Sequence, residues 1–497
     1  MTTASCASGD VTGAELPTGI LEFLGIPFAA PPVGKLRFEP PVPHSPWPEP
    51  WDATKYGPTA PQPQGEGPMN EILPNRIAPG DEYLNLNVWT PTLDGAAPVM
   101  VFIHGGGFST GSGSVSVYNG ERFARDGVVL VTINYRLGPD GFLWVGDGVA
   151  NLGLLDQIAA LEWVRDNIAA FGGDPQQVTL FGESAGAMSV VSLMAMPRAQ
   201  GLFHRAIAES GAGVSVISPR SAKKVAARLA ALLGIRPTRS AISALPVDRV
   251  LAGASTVGEE LTKRPFTTLW GEAGRNLMAF EPVVDGDILP GIPEDLIAAG
   301  AGHDIDLLIG TNSDEANLFF VPSGAVDRMP SIIASVFAWL YGARRPGTVR
   351  RYRRNRPGVS AGTLAAAILT DGFYRIPALR LAGLHPHAHV YEFAWKSGAF
   401  DGRLGACHAM ELPFVFDTLD DPEAAAMLGG PAPQELATRM HAAWVRFAKT
   451  GDPGWPPFTA EQRTSMRFDV TSHLTEDERA DERALWPSSR RKARIRA

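Results

Sequence analysis

The sequence GESAG at residues 182–186 constrains this chain more than any other feature. An apolar, strand-like run precedes it at 178–181, and a helix-like run follows it at 187–194. A serine on such a strand-to-helix turn is held in a strained backbone conformation with its hydroxyl exposed, which is typical of a catalytic nucleophile. The same pattern recurs at 107–111 (GFSTG), but glycine- and serine-rich sequence without a helical pattern follows it. We therefore predict that Ser184 is a nucleophile and that the second match is not.

Composition narrows the class of protein. Apolar residues make up 45% of the 497 residues and charged residues 19%, as in a globular protein with a large core. The net charge of −8 argues against nucleic-acid binding, and we interpret the basic cluster at 490–496 as a solvated terminus. No apolar run reaches the length of a membrane span, and the first ten residues do not resemble a secretory signal. We expect a cytoplasmic protein, monomeric or homodimeric, that binds neither nucleic acid nor a membrane.

Strand and helix patterns alternate along the chain, which predicts a mostly parallel sheet covered by helices on both faces. Besides the run before Ser184, strand-like runs lie at 99–103, 128–133, 205–208, 307–309 and 389–394, and helical spacing occurs at 154–168 and 437–448. The proline-rich first 60 residues predict short edge strands and little helix. Two helix-rich stretches, 221–297 and 322–377, are expected to cap the strand ends without folding independently, so residues 1–497 form a single domain.

A serine nucleophile needs a histidine to accept its proton and a carboxylate to orient that histidine. In chains with a nucleophile turn of this kind, called a nucleophile elbow, the acid comes next along the sequence and the histidine after it. Each lies on a loop that follows a later strand. His408 follows the strand-like run at 389–394 through a glycine-rich loop, where such a histidine is expected. The alternating His385, His387 and His389 can converge on a metal, but no acidic or cysteine ligand accompanies them, and we interpret them as the start of that strand.

Two adjacent acids, Asp314 and Glu315, follow the strand-like run at 307–309. One of them would orient the histidine, and the other would cap the following helix or hold the loop. The spacing alone does not choose between them.

Three glycines at 105–107 directly follow the strand-like run at 99–103. They allow backbone amides to turn toward a developing oxyanion, and the amide of Ala185 at the start of a helix would add another donor. A phosphate-binding loop is the alternative interpretation. The run lacks both the Lys-Ser/Thr ending of a P-loop and the spacing of a dinucleotide motif.

Together these residues resemble the type-B carboxylesterase/lipase family, which also contains the cholinesterases. The resemblance spans nearly the whole chain, from about residue 13 to the C-terminal helix. It is carried by the segments 25–38 (GIPFAAPPVGKLRF), 134–138 (NYRLG), 151–157 (NLGLLDQ), 171–175 (FGGDP) and 178–188 (VTLFGESAGAM). The resemblance implies an α/β-hydrolase fold with helical cap segments, and no metal or organic cofactor.

Carried over residue by residue, the resemblance implies a role for each candidate. Ser184 aligns with the nucleophile, Glu315 with the acid and His408 with the general base. The oxyanion donors fall on Gly106, Gly107 and Ala185. Phe108, Phe319 and Phe320 flank these segments and can line the substrate pocket, although aromatic residues more often belong to the core.

The chain also departs from the family pattern. The family's second signature usually reads Glu-Asp-Cys-Leu, whereas Tyr83 stands here at the cysteine position. Ala60 replaces the usual partner cysteine, so the N-terminal disulfide is missing, which fits a reducing compartment. Arg136, Asp156 and Glu162 match positions that resemble structural ion pairs. Cys407, beside His408, predicts inhibition by thiol reagents.

The function implied by the resemblance is hydrolysis of small to medium carboxylic esters through an acyl-enzyme intermediate. Hydrolysis of carbamates or amides by the same residues is the nearest alternative. A non-catalytic binding module is a remote one, because the family has members that lost the nucleophile. The presence of Ser184, Glu315 and His408 argues against that module.

Overall fold

The fold is taken from a computed structural model that describes residues 1–65, 67–73 and 75–488, so the basic cluster at 490–496 lies outside the described residues. Within them, thirteen strands form one sheet. They are β1 (Thr2–Cys6), β2 (Gly9–Glu15), β3 (Leu21–Pro27), β4 (Trp51–Asp52), β5 (Asn85–Thr90), β6 (Ala97–Ile103), β7 (Val129–Ile133), β8 (Gly173–Glu183), β9 (Arg205–Glu209), β10 (Asp306–Asn312), β11 (Ala388–Phe393), β12 (Thr464–Phe468) and β13 (His473–Glu476).

Helices connect and cover these strands. In the described part of the chain they are α1 (Pro68–Ile72), α2 (Glu121–Arg125), α3 (Gly138–Phe142), α4 (Leu152–Asn167), α5 (Ala185–Met194), α6 (Pro219–Leu233), α7 (Arg239–Ser243), α8 (Val247–Lys263), α9 (Thr267–Trp270), α10 (Glu272–Asn276), α11 (Pro293–Ala298), α12 (Asn317–Phe320), α13 (Ala325–Arg328), α14 (Ile332–Tyr341), α15 (Thr348–Asn355), α16 (Ala361–Leu369), α17 (Ile376–Leu384), α18 (Leu412–Val415), α19 (Ala425–Leu428), α20 (Gln434–Thr450) and α21 (Ala480–Arg483). A π-helical segment, Thr370–Arg375, joins α16 to α17. None of the helices in the ranges described is both long and apolar enough to cross a membrane.

The centre of the sheet is parallel, as the alternation of strand and helix patterns predicts. The strand order is β1-β2-β3-β5-β7-β6-β8-β9-β10-β11-β12-β13, with β4 paired to β2. The seven strands from β7 to β12 in that order run parallel to one another. Because parallel strands share one direction, the loops that follow β6, β8, β10 and β11 emerge at the same edge of the sheet.

Antiparallel strands flank the parallel centre. The first 60 residues supply four short strands and only one 3₁₀ turn, Gly34–Leu36, which confirms the expectation drawn from their prolines. The ladder between β3 and β5 is interrupted by a register shift between Phe23 and Ile26. These elements extend the sheet and lie away from the strands that precede the candidate residues.

The core lies on both faces of the sheet, because side chains alternate along each buried strand. On β6, Val99, Val101 and Ile103 join the core that also contains residues of α4 and α5. Met100 and Phe102 join the opposite core, which contains residues of α20. Each fully buried apolar side chain stabilises the fold by roughly 1.5–3 kcal/mol, so these two layers fix the strand ends firmly.

Both helix-rich stretches are helical in the structure. The first is covered by α6 to α11, and the second contains α13 to α16 and the start of α17. The second stretch has a small core of its own, in which α14, α15 and α16 pack around Tyr352 and Trp486.

Candidate active site

Ser184 lies on the turn between β8 and α5, as the elbow pattern predicts. Its backbone has φ of +56° and ψ of −120°, a conformation that non-glycine residues rarely adopt. The Ser184 amide donates to the carbonyl of Glu209 (2.9 Å), and its carbonyl accepts from the amide of Met188 (2.9 Å). Such a conformation costs on the order of 1–3 kcal/mol and persists only where the surrounding structure enforces it.

Gly186, two residues after Ser184, is required by close packing. A Cβ atom at position 186 would lie 1.9 Å from the carbonyl oxygen of Ile103, the last residue of β6. A Cβ at position 182 would lie 2.7 Å from the same oxygen. The start of α5 therefore packs directly against the end of β6, which holds the elbow at the edge of the sheet.

His408 contacts both Ser184 and an acid. It lies on the loop after β11 and is 4% exposed. With its proton on Nδ1, the ring donates to Oε2 of Glu315 (2.7 Å), and Nε2 accepts from the Ser184 hydroxyl (2.8 Å). The three side chains thus form one continuous hydrogen-bonded chain.

The two adjacent acids have different surroundings. Glu315 is fully buried, and its other carboxylate oxygen accepts from the amide of Asn312 (2.8 Å). Asp314 instead accepts from the amide of Ala406 (3.2 Å), and its own amide donates to the Ala406 carbonyl (2.9 Å). Glu315 is therefore the acid that is hydrogen-bonded to the histidine ring, and Asp314 is hydrogen-bonded to the loop that carries the histidine.

Sequence reasoning missed a second carboxyl group at the ring. Oε1 of Glu183 lies 3.1 Å from Nε2 of His408, without hydrogen-bond geometry. Burial raises the pKa of Glu183. Burial alone would lower the pKa of His408, but Glu183 and Glu315 outweigh it and raise that pKa. The only sequence signal was the position of Glu183 next to Ser184.

Two further acids are buried near these groups. Glu411 accepts hydrogen bonds from the side chains of Asn312 and Ser210 (3.3 Å for Ser210), and Glu209 accepts from the indole of Trp444 (2.6 Å). Burial raises the pKa of both carboxyl groups. Burial opposes ionisation of both groups, because it penalises the charged form of a carboxyl group.

The glycine run lies against the serine. A Cβ at Gly105 would be 3.0 Å from Cβ of Ser184. Gly106 and Gly107 have φ of +106° and +59°, which bends the loop at this point. The backbone amides of Gly106, Gly107 and Ala185 donate to no acceptor in the part of the chain that the structure describes. Three free amides beside one hydroxyl can bind an oxygen atom that develops negative charge.

Two aromatic rings contact the histidine. The ring of Phe319 lies 5.5 Å from that of His408, and the ring of Tyr374 lies 5.0 Å from it. Sequence reasoning named the first and missed the second. Tyr374 belongs to the π-helical segment Thr370–Arg375, and such segments often occur at functional sites.

The other two phenylalanines have aromatic partners elsewhere. Phe108 is fully buried and packs against Phe142, with ring centroids 4.8 Å apart. Phe320 is half-buried and stacks with Phe337 at 6.2 Å. Neither ring is in contact with the histidine within the described residues.

Several other sequence interpretations concern the scaffold. Arg136 and Asp156 form the expected ion pair, which is buried and bidentate (2.7 and 2.8 Å), whereas Glu162 is exposed. Cys407 is fully buried, and burial raises the pKa of its thiol. Since the thiolate is the reactive form, these surroundings argue against modification of Cys407 by thiol reagents in the folded protein.

The alternating histidines lead from α17 into β11, but only His389 lies in the strand, and His385 is buried rather than exposed. His385 contacts the carbonyl of Gly302 through Nε2 (2.9 Å), and its Nδ1 accepts from the amide of His387 (3.2 Å). The described residues contain no group of three or more histidine, cysteine, aspartate or glutamate side chains arranged to hold a metal ion.

Comparison with known proteins defines the class. The solved structure of the Geobacillus stearothermophilus carboxylesterase matches with a TM-score of 0.85 at 35% identity, covering 98% of this chain and 100% of that one. A para-nitrobenzyl esterase structure gives a TM-score of 0.85 at 34% identity, covering 98% and 100%. The sheet and its helices are therefore an α/β-hydrolase fold.

Sequence comparison defines the family. The model of the carboxylesterase family matches residues 1–486. Para-nitrobenzyl esterase of Bacillus subtilis is 38% identical over 491 residues, covering 95% of this chain and 96% of the relative. Phenmedipham hydrolase of Pseudarthrobacter oxydans is 37% identical, covering 92% and 93%. The chain belongs to the carboxylesterase family and is a carboxylic ester hydrolase.

Proposed function

We propose that Ser184 is the nucleophile of this esterase, with His408 as general base and Glu315 as the acid that orients it. The observation that carries the proposal is the hydrogen-bonded chain from the Ser184 hydroxyl through both ring nitrogens of His408 to Glu315. A hydroxyl is a weak nucleophile at neutral pH, so removal of its proton by Nε2 is what makes attack on an ester carbonyl feasible.

Attack by the serine oxygen converts the ester carbonyl into a tetrahedral oxyanion. The amides of Gly106, Gly107 and Ala185 bind this oxygen in our proposal, because they have no other acceptor in the described ranges. Loss of one such donor typically raises the barrier by about 3 kcal/mol. The protonated ring of His408 then gives its proton to the departing alcohol, which leaves an acyl group on Ser184.

A second half-reaction releases the acid. Water gives a proton to Nε2 of His408 and attacks the acyl carbonyl, and the same amides hold the second oxyanion. Collapse of this intermediate returns the proton to the Ser184 oxygen. Glu315 remains ionised and stabilises the imidazolium in both steps.

We infer that the substrates are small to medium esters and that Phe319 forms part of the substrate pocket, since its ring contacts His408. Phe108 and Phe320 remain candidates for the pocket lining in this proposal, although their rings pack against Phe142 and Phe337. The helical stretches 221–297 and 322–377 act as cap segments of a single domain, because Tyr374 from the second stretch also reaches the histidine. We also propose that the protein is cytoplasmic, that it is a monomer or a homodimer, and that it has no nucleic-acid partner.

The test is a series of 4-nitrophenyl esters from acetate to palmitate, assayed with the wild type and with Ser184→Ala. The proposal predicts turnover that is lost in the variant, with an optimum at short or medium acyl chains. Ser109→Ala is the matched control, because it removes the serine of the other Gly-x-Ser-x-Gly match. Full turnover by Ser184→Ala would refute the proposal.

Hydrolysis of carbamates or amides is tested in the same assay. Phenmedipham is included because one relative is named for its hydrolysis. Carbamates or phenmedipham could be turned over faster than any ester, with the activity lost in Ser184→Ala. That result would support the same catalytic residues but assign a different substrate class.

A further inference from the structure

Residues 331–359 form a strongly basic surface on an acidic protein. This segment contains seven arginines and no acidic residue, whereas the whole chain has a net charge of −8. It comprises α14, a short loop and α15. We call its outer side the α14–α15 surface.

The outer face of α14 is apolar and uncovered. Ile332, Val336 and Trp339 are spaced by four and three residues, which places them on one face of the helix. They are 61%, 45% and 61% exposed. Ala334 and Ala338 are buried in the small core beneath, so the helix is held in place while its outer face stays largely exposed.

The apolar face and the arginines adjoin each other. The guanidinium of Arg344 lies 4.7 Å from the ring centroid of Trp339, and its Nε donates to the carbonyl of Trp339 (3.2 Å). Of the remaining arginines, two form ion pairs, Arg351 with Asp481 and Arg356 with Glu482.

The other four arginines of the segment have no acidic partner in the described residues. All four side chains are exposed, and none forms an ion pair with an acid that the structure describes. The four are Arg345, Arg350, Arg353 and Arg354. Unpaired arginines and an exposed apolar helix face in one short segment suit an external partner that is both anionic and apolar.

We propose that the α14–α15 surface binds anionic lipid membranes at the interface. Lipid phosphates would neutralise the arginines, while the acyl region would accept Trp339 and its apolar neighbours. A nucleic acid or an acidic protein would satisfy the charges but leave the apolar face in water. The net negative charge of the rest of the chain would orient this surface toward the membrane.

The expectation that this protein has no membrane partner rested on the length of its apolar runs. Interfacial binding does not need a membrane-spanning segment, because an amphipathic helix lies in the plane of the headgroups. A search for membrane-spanning segments therefore does not detect the α14–α15 surface. The proposal does not depend on the catalytic roles assigned above.

The test is flotation of the full chain with lipid vesicles. Vesicles of pure phosphatidylcholine are compared with vesicles in which about a third of the lipid is phosphatidylglycerol, at about 0.1 M salt. We expect binding only to the anionic vesicles, with a marked loss at about 0.5 M salt.

Two variants separate the charged and apolar contributions. The triple variant Arg350→Gln, Arg353→Gln and Arg354→Gln should weaken vesicle binding about a hundredfold, since each basic side chain contributes about fivefold. Trp339→Ser should weaken it as well, because the tryptophan enters the interface. Thermal unfolding midpoints close to that of the wild type show that both variants fold.

Matched controls come from other exposed positions. Arg220→Gln combined with Arg236→Gln removes two exposed arginines elsewhere, and Val470→Ser removes a side chain that is 61% exposed. Both controls should bind vesicles like the wild type.

Three results would overturn the proposal. The first is equal binding to both kinds of vesicle, or binding that the triple variant leaves unchanged. The second is binding to polyglutamate as strong as that to vesicles and unaffected by Trp339→Ser, which would assign the surface to a polyanion. The third is a concentration-dependent dimer that Trp339→Ser dissociates, which would assign the apolar face to a second copy of the chain.

Discussion

Replacing Glu183 by glutamine tests how the buried carboxyl groups set the working pH of the enzyme. Oε1 of Glu183 lies 3.1 Å from Nε2 of His408, the nitrogen that also faces the Ser184 hydroxyl. His408 must be neutral to accept a proton, so activity is lost as the pH falls through its pKa. Glu183 raises that pKa, and its removal should therefore extend activity to lower pH.

The structure bounds the size of this shift. Two unit charges at the observed separation interact by about 5 kcal/mol at an effective dielectric constant of 20. This is an upper limit, because burial also raises the pKa of Glu183 and leaves it partly protonated while His408 is neutral. A nearby opposite charge typically shifts a pKa by 1–3 units, and we expect the acid limb of kcat/KM to move down by about one unit.

The same variant should be slower at its optimum. Glu183 stabilises the imidazolium of His408 that forms during attack, and a loss corresponding to one pKa unit lowers kcat/KM by about tenfold. The measurement is a pH profile of kcat/KM on a 4-nitrophenyl ester for the wild type and Glu183→Gln. Glu209→Gln is the matched control, because Glu209 is equally buried but hydrogen-bonded to Trp444. An acid limb that stays in place or moves to higher pH in Glu183→Gln would refute the reasoning.

The remaining predictions concern the acid, the scaffold and the thiol. Glu315→Gln should lower kcat by about 10⁴-fold, because a neutral amide neither fixes the proton on Nδ1 of the histidine nor stabilises the imidazolium. Asp314→Asn should retain most of the activity, and equal losses in steady-state assays would contradict this. Asp156→Asn leaves Arg136 buried without its charged partner and should lower the free energy of unfolding by about 3–5 kcal/mol. The measurement is urea denaturation, and an unchanged unfolding midpoint would count against a structural role of the ion pair. Iodoacetamide should leave Cys407 unmodified and activity intact in the native enzyme, since that thiol is fully buried; mass spectrometry showing alkylated Cys407 in active protein would disprove it.

The sequence predicts the parts of this fold that depend on local pattern. The apolar runs at 99–103 and 128–133 lie in β6 and β7, and the spacing at 154–168 corresponds to α4. Strand β8 is longer than the run at 178–181, because Gly173 also pairs with Ala97 of β6, ahead of an irregularity in the ladder before Val178. Pairing between distant segments extends a strand beyond its apolar stretch, and no local pattern encodes that.

The candidate site was predictable where a motif marks it and not where packing creates it. The elbow marks Ser184, and position along the chain favours His408. The choice of Glu315 over Asp314 came from the family resemblance, since both acids fit the same loop. The approach of Tyr374 to the histidine depends on how the π-helical segment packs, which no spacing in the sequence reveals.

The exposure of the outer face of α14 could not be predicted from its sequence pattern either. Its apolar spacing is that of a buried helix, and only the structure shows that Trp339 and its neighbours face outward. Periodicity identifies a face of a helix, but the partner of that face depends on the rest of the fold.

Covalent labelling with an organophosphonate probe tests the central claim, that Ser184 is the nucleophile, most directly. The probe reacts with an activated serine, and mass spectrometry of the digested protein identifies the modified residue. The account predicts one adduct on Ser184, absent in Ser184→Ala and retained in Ser109→Ala. An adduct on another serine, or a folded wild type that is active on esters but stays unlabelled at Ser184, would contradict it.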